Sequence, residues 1–341
     1  VAANGRSVTL SDVAAESGVS LATASRVLNG STRVVREDLR QKVLDAADRL
    51  GYLPNAQAQA VARGYSDVTG LIVRDIADPY FSTIAAGVAN AARERGLLTT
   101  MCNTAGEPET ELAFIEKLRN QRVRAIILCG SRSTDEDHER RLTERLDTFA
   151  AGGGRVVAVS QPTLPHDTVA LDNRGGARAL ARALYELGYR RPVILAGPPT
   201  LLTSRERRDG FLAGWKSAGG SRPRVFDGEF SRDGGYRLMS DVAKDKVDTD
   251  CVFAVSDVMA VGAMAACRDH GIVVGDDLGV AGFDDIVTLR DVTPALTTVR
   301  LPLNEIGRVA LETALTEPAE GPRRRLFTGE VILRESTPPR R

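Results

Sequence analysis

No stretch of this 341-residue sequence supplies the roughly 18 consecutive apolar residues that a membrane-spanning helix needs, so no transmembrane segment and no membrane partner are expected. Cysteine is scarce. Cys102, Cys129, Cys251 and Cys267 stand far apart, fit no zinc-ligand spacing and mostly fall in apolar runs, where reduced core thiols are expected. The sequence has no G-x-x-x-x-G-K-[ST] phosphate loop, no H-E-x-x-H and no G-x-S-x-G elbow. Gly152-Gly-Gly154 precedes an apolar run instead of following one, which makes it a helix stop and not a phosphate cradle. His138, His166 and His270 lie in charged or loop contexts without matched partners and read as surface residues. These absences weigh against an enzyme, and no cofactor or metal is expected. Behind polar Val1 to Ser7 no apolar leader follows, so a cytoplasmic location is expected. Net charge is also missing, because 45 Lys and Arg balance 45 Asp and Glu. Residues 1–64 hold eight basic against six acidic residues, a surplus of two that argues only weakly for nucleic acid.

Patterning is more informative. The length exceeds the roughly 250 to 300 residues at which one core stops growing, so a small unit and a large one are expected. Thr9-Leu-Ser-Asp12 carries the [ST]-x-x-[DE] capping signature and starts a helix with Leu10, Val13 and Ala14 on its apolar face. Gly18 ends it in the left-handed conformation that glycine adopts without strain. Ser20 caps a second helix, Leu21 to Leu28, with Ala24, Val27 and Leu28 inward and Leu21, Ala22, Ser25 and Arg26 outward or toward its start. A third helix over about 36–50 repeats Leu39, Val43, Ala46, Ala47 and Leu50 at helical spacing. Two short helices joined through glycine make a helix-turn-helix. By spacing alone, the same bundle could be a protein-binding or structural cap. The alanine-rich segment 55–63 would be two turns, too short to hold helix alone in water, and could be an inert linker.

From Val68 onward apolar runs alternate with amphipathic stretches: 68–73 then 79–95, 97–102 then 109–120, 125–129 then 134–151, 156–160 then 173–187, 192–196 then 204–218, and 251–255 then 257–270. That rhythm predicts parallel sheets, two of them, with ligand groups at the C-terminal ends of the strands. The strand ends and following loops nominate Arg74, Asp75, Tyr80, Phe81, Ser131, Ser160, Phe230, Ser256, Asp257 and Asp284.

Val8 to Asn29 resembles the head of the LacI/GalR family almost position for position, and Gly51-Tyr-Leu-Pro-Asn55 resembles its exit from the third helix. Asp172-Asn-Arg-Gly-Gly-Ala177, Gly188-Tyr-Arg-Arg-Pro192, Arg207 to Ala213, Val255-Ser-Asp257, Gly282-Phe-Asp-Asp285 and Leu296-Thr-Thr-Val299 resemble its body, so the likeness covers nearly the whole chain. It implies an N-terminal all-α helix-turn-helix DNA-binding domain plus an α/β periplasmic-binding-protein-like (type I) body of two parallel-sheet subdomains. The implied boundaries are a head at 1–53, a hinge at 54–66 and an effector-binding and dimerisation body at 67–341. Its N-subdomain is expected at about 67–162 and 295–319, its C-subdomain at about 163–294 and 320–336.

The resemblance implies a sequence-specific transcription regulator, a repressor by expectation, that binds pseudo-palindromic operator DNA as a homodimer under control of a small-molecule effector, a sugar. Leu21, Ala22 and Arg26 become base readers, and Thr9, Ser20, Thr23, Ser25 and Asn29 chiefly position phosphates. Chemistry agrees, since Arg26 suits a guanine edge and the two apolar side chains suit a thymine methyl. Asn55, Ala58 and Val61 fall in the implied hinge helix, where valine replaces the family's minor-groove leucine and makes a shallower wedge. The family often has valine where Ala24 stands. In the body the likeness makes Arg207 and Asp284 the pair that grips the ligand, with Phe230 stacking on a sugar ring and Ser256 replacing a common asparagine. A carboxylate and a guanidinium together suit a neutral polyol, although the two could form an ordinary ion pair. Arg74 is unusual for the family and suits an acidic sugar or a phosphate. The tail 334–341 carries no heptad pattern, so no tetramerising helix is expected. A transport-type binding protein would share the body but lack the head; a DNA-bound architectural protein with a ligandless body is the other alternative.

Overall fold

The computed structural model describes residues 8–28, 35–53, 55–317 and 319–340, with backbone only at Ala56, Gln57, Ala58 and Ala62. The chain divides into two units, Val1–Ser66 and Asp67–Arg341. In the first, α1 (Leu10–Ser17), α2 (Leu21–Leu28), α3 (Glu37–Leu50) and α4 (Ala56–Arg63) follow one another. Thr9 forms a complete capping box with Asp12 at the start of α1, and Gly18 ends it at φ 68°. Both orphan ends of this short helix are thereby satisfied. Val13 and Ala14 of α1, Ala24 of α2 and Val43, Ala46 and Ala47 of α3 form a small buried core. Its side chains are small, so the helices pack closely and α2 keeps its opposite face in water.

The second unit opens with β1 (Val68–Val73), α5 (Pro79–Arg93), β2 (Leu98–Asn103), α6 (Pro108–Asn120), β3 (Ala125–Cys129), α7 (Glu136–Ala151), β4 (Arg155–Val159) and β5 (Asp167–Leu171). It continues with α8 (Asn173–Glu186), β6 (Pro192–Ala196), α9 (Leu202–Ser217), β7 (Arg224–Asp227), α10 (Arg232–Lys244), β8 (Cys251–Ala254), α11 (Asp257–Asp269) and β9 (Gly279–Ala281). It closes with β10 (Thr298–Arg300), α12 (Leu303–Leu315), β11 (Arg324–Phe327) and β12 (Glu330–Ile332). A six-stranded sheet in the order β11-β5-β4-β3-β1-β2 builds one lobe, and a four-stranded sheet in the order β7-β6-β8-β9 builds the other. Every pairing within these two sheets is parallel. Helices cover both, so β3 and β8 are buried along their whole length, as continuous apolar runs in parallel sheets require.

Sheet membership corrects the expected subdomain boundaries. β5 pairs with β4 and β11 pairs with β5, so the first crossing follows Leu171 instead of 162 and the last follows Phe327 instead of 320. The cause is a fastener: the Asp167 carboxylate accepts from Arg323 backbone N at 2.7 Å and from its guanidinium, seating β11 beside β5. The middle crossing runs through β10, which pairs antiparallel with β12, and not at 294. All four cysteines are buried thiols, and burial pushes Cys129 and Cys267 up to about 12. Among the described residues no helix is long and apolar enough to cross a membrane.

In the first lobe α5 packs on α12, and the two meet at glycines. A Cβ at Gly87 would come within 2.1 Å of the Asn304 carbonyl oxygen, and one at Gly307 within 2.1 Å of that of Ile84. The backbones touch, so Gly87→Ala must push the helices apart. We expect it to destabilise the body by about 1–3 kcal/mol, the usual cost of overpacking, read as a lower denaturant midpoint at unchanged slope.

Candidate DNA-reading face and effector cleft

On the first unit, α2 exposes Leu21, 54% accessible, together with Ala22 and Arg26, while Thr23 and Ser25 are half-buried. Ser20 Oγ accepts from Thr23 N at 3.1 Å and lies 2.8 Å from Thr23 Oγ1, so it caps the helix. Thr9 Oγ1 donates to Asp12 Oδ2 at 2.7 Å. The nominated positioning hydroxyls Thr9, Ser20 and Thr23 therefore also hold the helix starts. Asn29 lies outside the described residues, as does the side chain of Ala58. In α4 Val61 is 64% accessible, and Asn55 just before it is exposed.

On the second unit, the C-terminal ends of β1, β3, β4 and β5 face α9 and the loops after β7 and β9 across a cleft. Its lining brings together eight of the nominated residues, Arg74, Tyr80, Phe81, Ser131, Ser160, Arg207, Phe230 and Asp284. Arg207 and Asp284 are 2% and 4% accessible. Arg207 Nη2 donates to Asp284 Oδ1 at 2.7 Å and Nη1 to Oδ2 at 3.0 Å, a bidentate pair. Arg207 Nε donates to Asn173 Oδ1, and Nη1 also donates to the Val255 carbonyl, both at 2.9 Å. Phe283 supports the guanidinium, whose Cζ lies 4.0 Å from the ring centroid. Of five guanidinium N–H groups, four are used, leaving one on Nη2 for a guest. Asp284 sits at φ 118°, a strained conformation for a residue with a Cβ, of the kind that clusters at ligand clamps. Burial raises its carboxyl above the ordinary aspartate range, against the pull of Arg207.

Apolar rings oppose this pair. Tyr80 and Phe81 meet edge to face with centroids 4.9 Å apart. Phe230 packs on Gly197, where a Cβ would clash at 2.5 Å. An aromatic wall facing a bidentate charged pair suits a guest with one apolar face and a hydroxylated edge.

The lobes are clasped at one rim. Leu202 N donates to the Arg132 carbonyl and Thr134 N to that of Thr200, each at 3.0 Å. Thr203 N donates to Ser131 Oγ, also at 3.0 Å. Gln161 Oε1 accepts from Arg132 N, while its Nε2 donates to Thr203 Oγ1 and Glu206 Oε2. The space between the lobes there is about 40 Å³, less than the ~150 Å³ of a cavity that admits benzene. Sequence reasoning missed Asp78, Gln161, Asn173 and Thr203. Asn173 stands in the quoted Asp172 to Ala177 motif; Gln161 sits one residue past the nominated Ser160.

Three nominations fall outside the lining. Asp75 is exposed, its carboxylate turned back to Ala77 N at 3.0 Å. Ser256 caps α11, accepting from Met259 N. Asp257 is fully buried, accepting from Thr298 Oγ1 at 2.7 Å and Ile286 N at 3.0 Å, and burial raises its carboxyl to about 6. Both are fasteners of the second lobe. The surface reading of the histidines also needs correction. His138 is buried with Nε2 2.9 Å from Glu111 Oε2, and His166 is mostly covered, 3.1 Å from Asp147; only His270 is exposed.

Glu111 also accepts from buried Arg132 at 3.1 Å. Burial opposes its ionisation, but the Arg132 charge and the hydrogen bonds from His138 and Arg132 outweigh that and hold the carboxyl at about 2. A depressed carboxyl stabilises the fold above its unfolded pKa, near 4.5, and this contribution fades as pH falls toward 2. Glu111→Gln should therefore melt well below the wild type at pH 7, with the gap narrowing between pH 4.5 and 2.

Residues 9–55 match the family described as bacterial regulatory proteins, lacI family. Residues 66–329 match that of periplasmic binding proteins and the sugar-binding domain of the LacI family. The chain belongs to the LacI family. It is 36% identical to the HTH-type transcriptional regulator GalS of Salmonella typhimurium over 310 residues, 90% of this chain and 89% of GalS. With the HTH-type transcriptional repressor CytR of Escherichia coli it shares 31% identity over 339 residues, 96% of each chain. Among solved structures, the transcriptional regulator CelR–cellobiose complex superposes with a TM-score of 0.71 at 29% identity, covering 96% of this chain and 99% of that one. The lac repressor dimer bound to operator and the anti-inducer ONPF gives 0.82 over 98% of this chain and 100% of that chain. At 24% identity that likeness speaks for the fold.

Proposed function

We propose that this LacI-family protein is a cytoplasmic transcriptional repressor, not an enzyme, that binds a pseudo-palindromic operator as a homodimer and releases it when a sugar occupies the cleft. The observation that carries this reading is the union, on one chain, of an exposed α2 face bearing Leu21, Ala22 and Arg26 with a two-lobed body whose cleft sets aromatic rings against the Arg207–Asp284 pair. One head with three base readers is too weak for specific binding, and a dimer doubles the contacts. Edge strand β2 supports dimerisation, since it exposes Leu98 and Met101 on an otherwise polar rim, the kind of apolar edge that proteins cover. The cellobiose held by CelR supports a saccharide effector.

In this reading the sugar parts the clasp at 131–134 and 200–203, then stacks on Phe230 and Tyr80 and takes the remaining Arg207 N–H. The change in lobe angle alters the dimer spacing of the heads. Coupling is reciprocal, so operator must weaken sugar binding by the factor by which sugar weakens operator binding. Calorimetry of the full chain against a panel including glucose, galactose, ribose and cellobiose tests this. At least one sugar should bind, and should do so more weakly once operator is present; absence of binding by every sugar, neutral or acidic, would refute the sugar-sensing role.

A further inference from the structure

Beside the first chamber lies a second, of about 270 Å³, and Arg74, Gly130, Ser131 and Leu201 line both. Three cations could meet a guest in the pair of chambers besides His138, and two are committed. Arg207 is bound to Asp284, Asn173 and Val255. Arg132 is 3% accessible, 3.1 Å from Glu111 and 3.7 Å from Glu139. His138 is tied to Glu111 as well. Arg74 differs. Among the described residues its side chain makes no hydrogen bond and no ion pair.

Its guanidinium lies close against the backbone at Gly106. Gly106, at φ +80°, turns its bare Cα to it, and a Cβ there would lie 3.0 Å from Arg74 Cζ and 3.1 and 3.2 Å from the two terminal nitrogens. A side chain at 106 would crowd the planar group, which would have to shift by a few tenths of an ångström. Of the carboxylates lining the two chambers, Asp284 is held by Arg207 and Glu111 and Glu139 by Arg132, and neither Asp78 nor Glu107 pairs with Arg74. Asp78 caps α5 by accepting from Tyr80 N at 2.9 Å, so its charge rests on the positive end of that helix. Glu107 is exposed at the rim, where water screens it.

We propose that the effector is an acidic sugar, with its ring in the first chamber and its phosphate or carboxylate on Arg74 where the two chambers meet. The proposal rests on the sugar-sensing role above. A guanidinium presents two parallel N–H groups to such an anion, and a half-buried one loses less to water in doing so. The neutral polyol edge remains the business of Arg207 and Asp284, while Arg74 sets the charge of the guest.

The test is calorimetry of the full-length protein with matched ligands: glucose, glucose 6-phosphate and glucuronate; galactose and galacturonate; ribose and ribose 5-phosphate. An acidic sugar should bind roughly tenfold to hundredfold more tightly than its neutral counterpart, the usual range for a charge-assisted pair. The phosphate and carboxylate arms decide which anion is meant. Arg74→Gln should bring the acidic sugar down to the affinity of the neutral one, and Arg74→Lys, which keeps the charge, should retain most of the preference. Neutral sugars binding as tightly as acidic ones, or a preference that survives Arg74→Gln, would overturn the assignment and leave the sugar-sensing role standing. Failure of every sugar, neutral or acidic, would overturn both.

Discussion

Asp284→Ala should lower the unfolding free energy of the body by about 3–5 kcal/mol, because it strands the buried Arg207 charge without its bidentate partner. Loss of a ligand contact alone would have left stability unchanged. Asp284→Asn, which still accepts a hydrogen bond from Arg207 but carries no charge, should cost less and still weaken the grip on the guest. Replacing both residues by apolar ones of similar volume should recover much of the stability while abolishing the ligand response, as is common when buried pairs are exchanged for packed hydrocarbon. Chemical denaturation of the three variants checks the order: the single alanine lowest, the asparagine intermediate, the apolar double closest to wild type. An alanine variant as stable as wild type would mean that water reaches Arg207 freely and that the pair is not sealed from solvent.

The second large effect concerns DNA. Arg26 is exposed on α2, beyond the cap made by Ser20 and Thr23, and it is the one nominated base reader able to bond two acceptors of a guanine. Arg26→Ala should cost about 1–3 kcal/mol per operator half-site and relax the preference at one base pair of each half. The helix core is Ala24 and its neighbours in α1 and α3, so the fold of the head should not change. Binding measured on the operator and on random duplex separates the two roles of an arginine. A base reader loses discrimination; a phosphate contact loses affinity on both duplexes and reduces the salt slope by about one.

How much of this was legible depended on whether a side chain's job was local. Thr9 with Asp12, Gly18 and Ser20 act on atoms within three or four residues, and the helices they bound lie at 10–17 and 21–28 as read. β1, β3 and β6 are continuous apolar runs, and their limits were read to the residue. β5, β7 and β9 to β12 are five residues or shorter and were missed as strands, because their pairing is decided by distant partners such as Arg323 with Asp167. The same reason displaced the lobe boundaries. In the cleft, strand-end reasoning nominated Arg74, Ser131 and Ser160, which the structure places in the lining, yet it could not distinguish Asp284, which faces Arg207, from Asp257, which turns inward to Thr298. Both end apolar strands; only the fold decides where the carboxylates point. His138 was misread for a related reason, since its charged neighbours in sequence face outward while Glu111, 27 residues away, receives it inside.

The central claim is that one chain reads DNA and is governed by a small molecule between its lobes. The most direct measurement selects bound duplexes from a random pool with the full-length protein, then titrates the recovered duplex with the acidic and neutral sugars named above. The account predicts a two-fold-related consensus with half-sites about one helical turn, or a multiple of it, apart, and an affinity for it that falls when a bound sugar is added. Recovery of no consensus, or of a consensus whose affinity no ligand of the cleft alters, would contradict it.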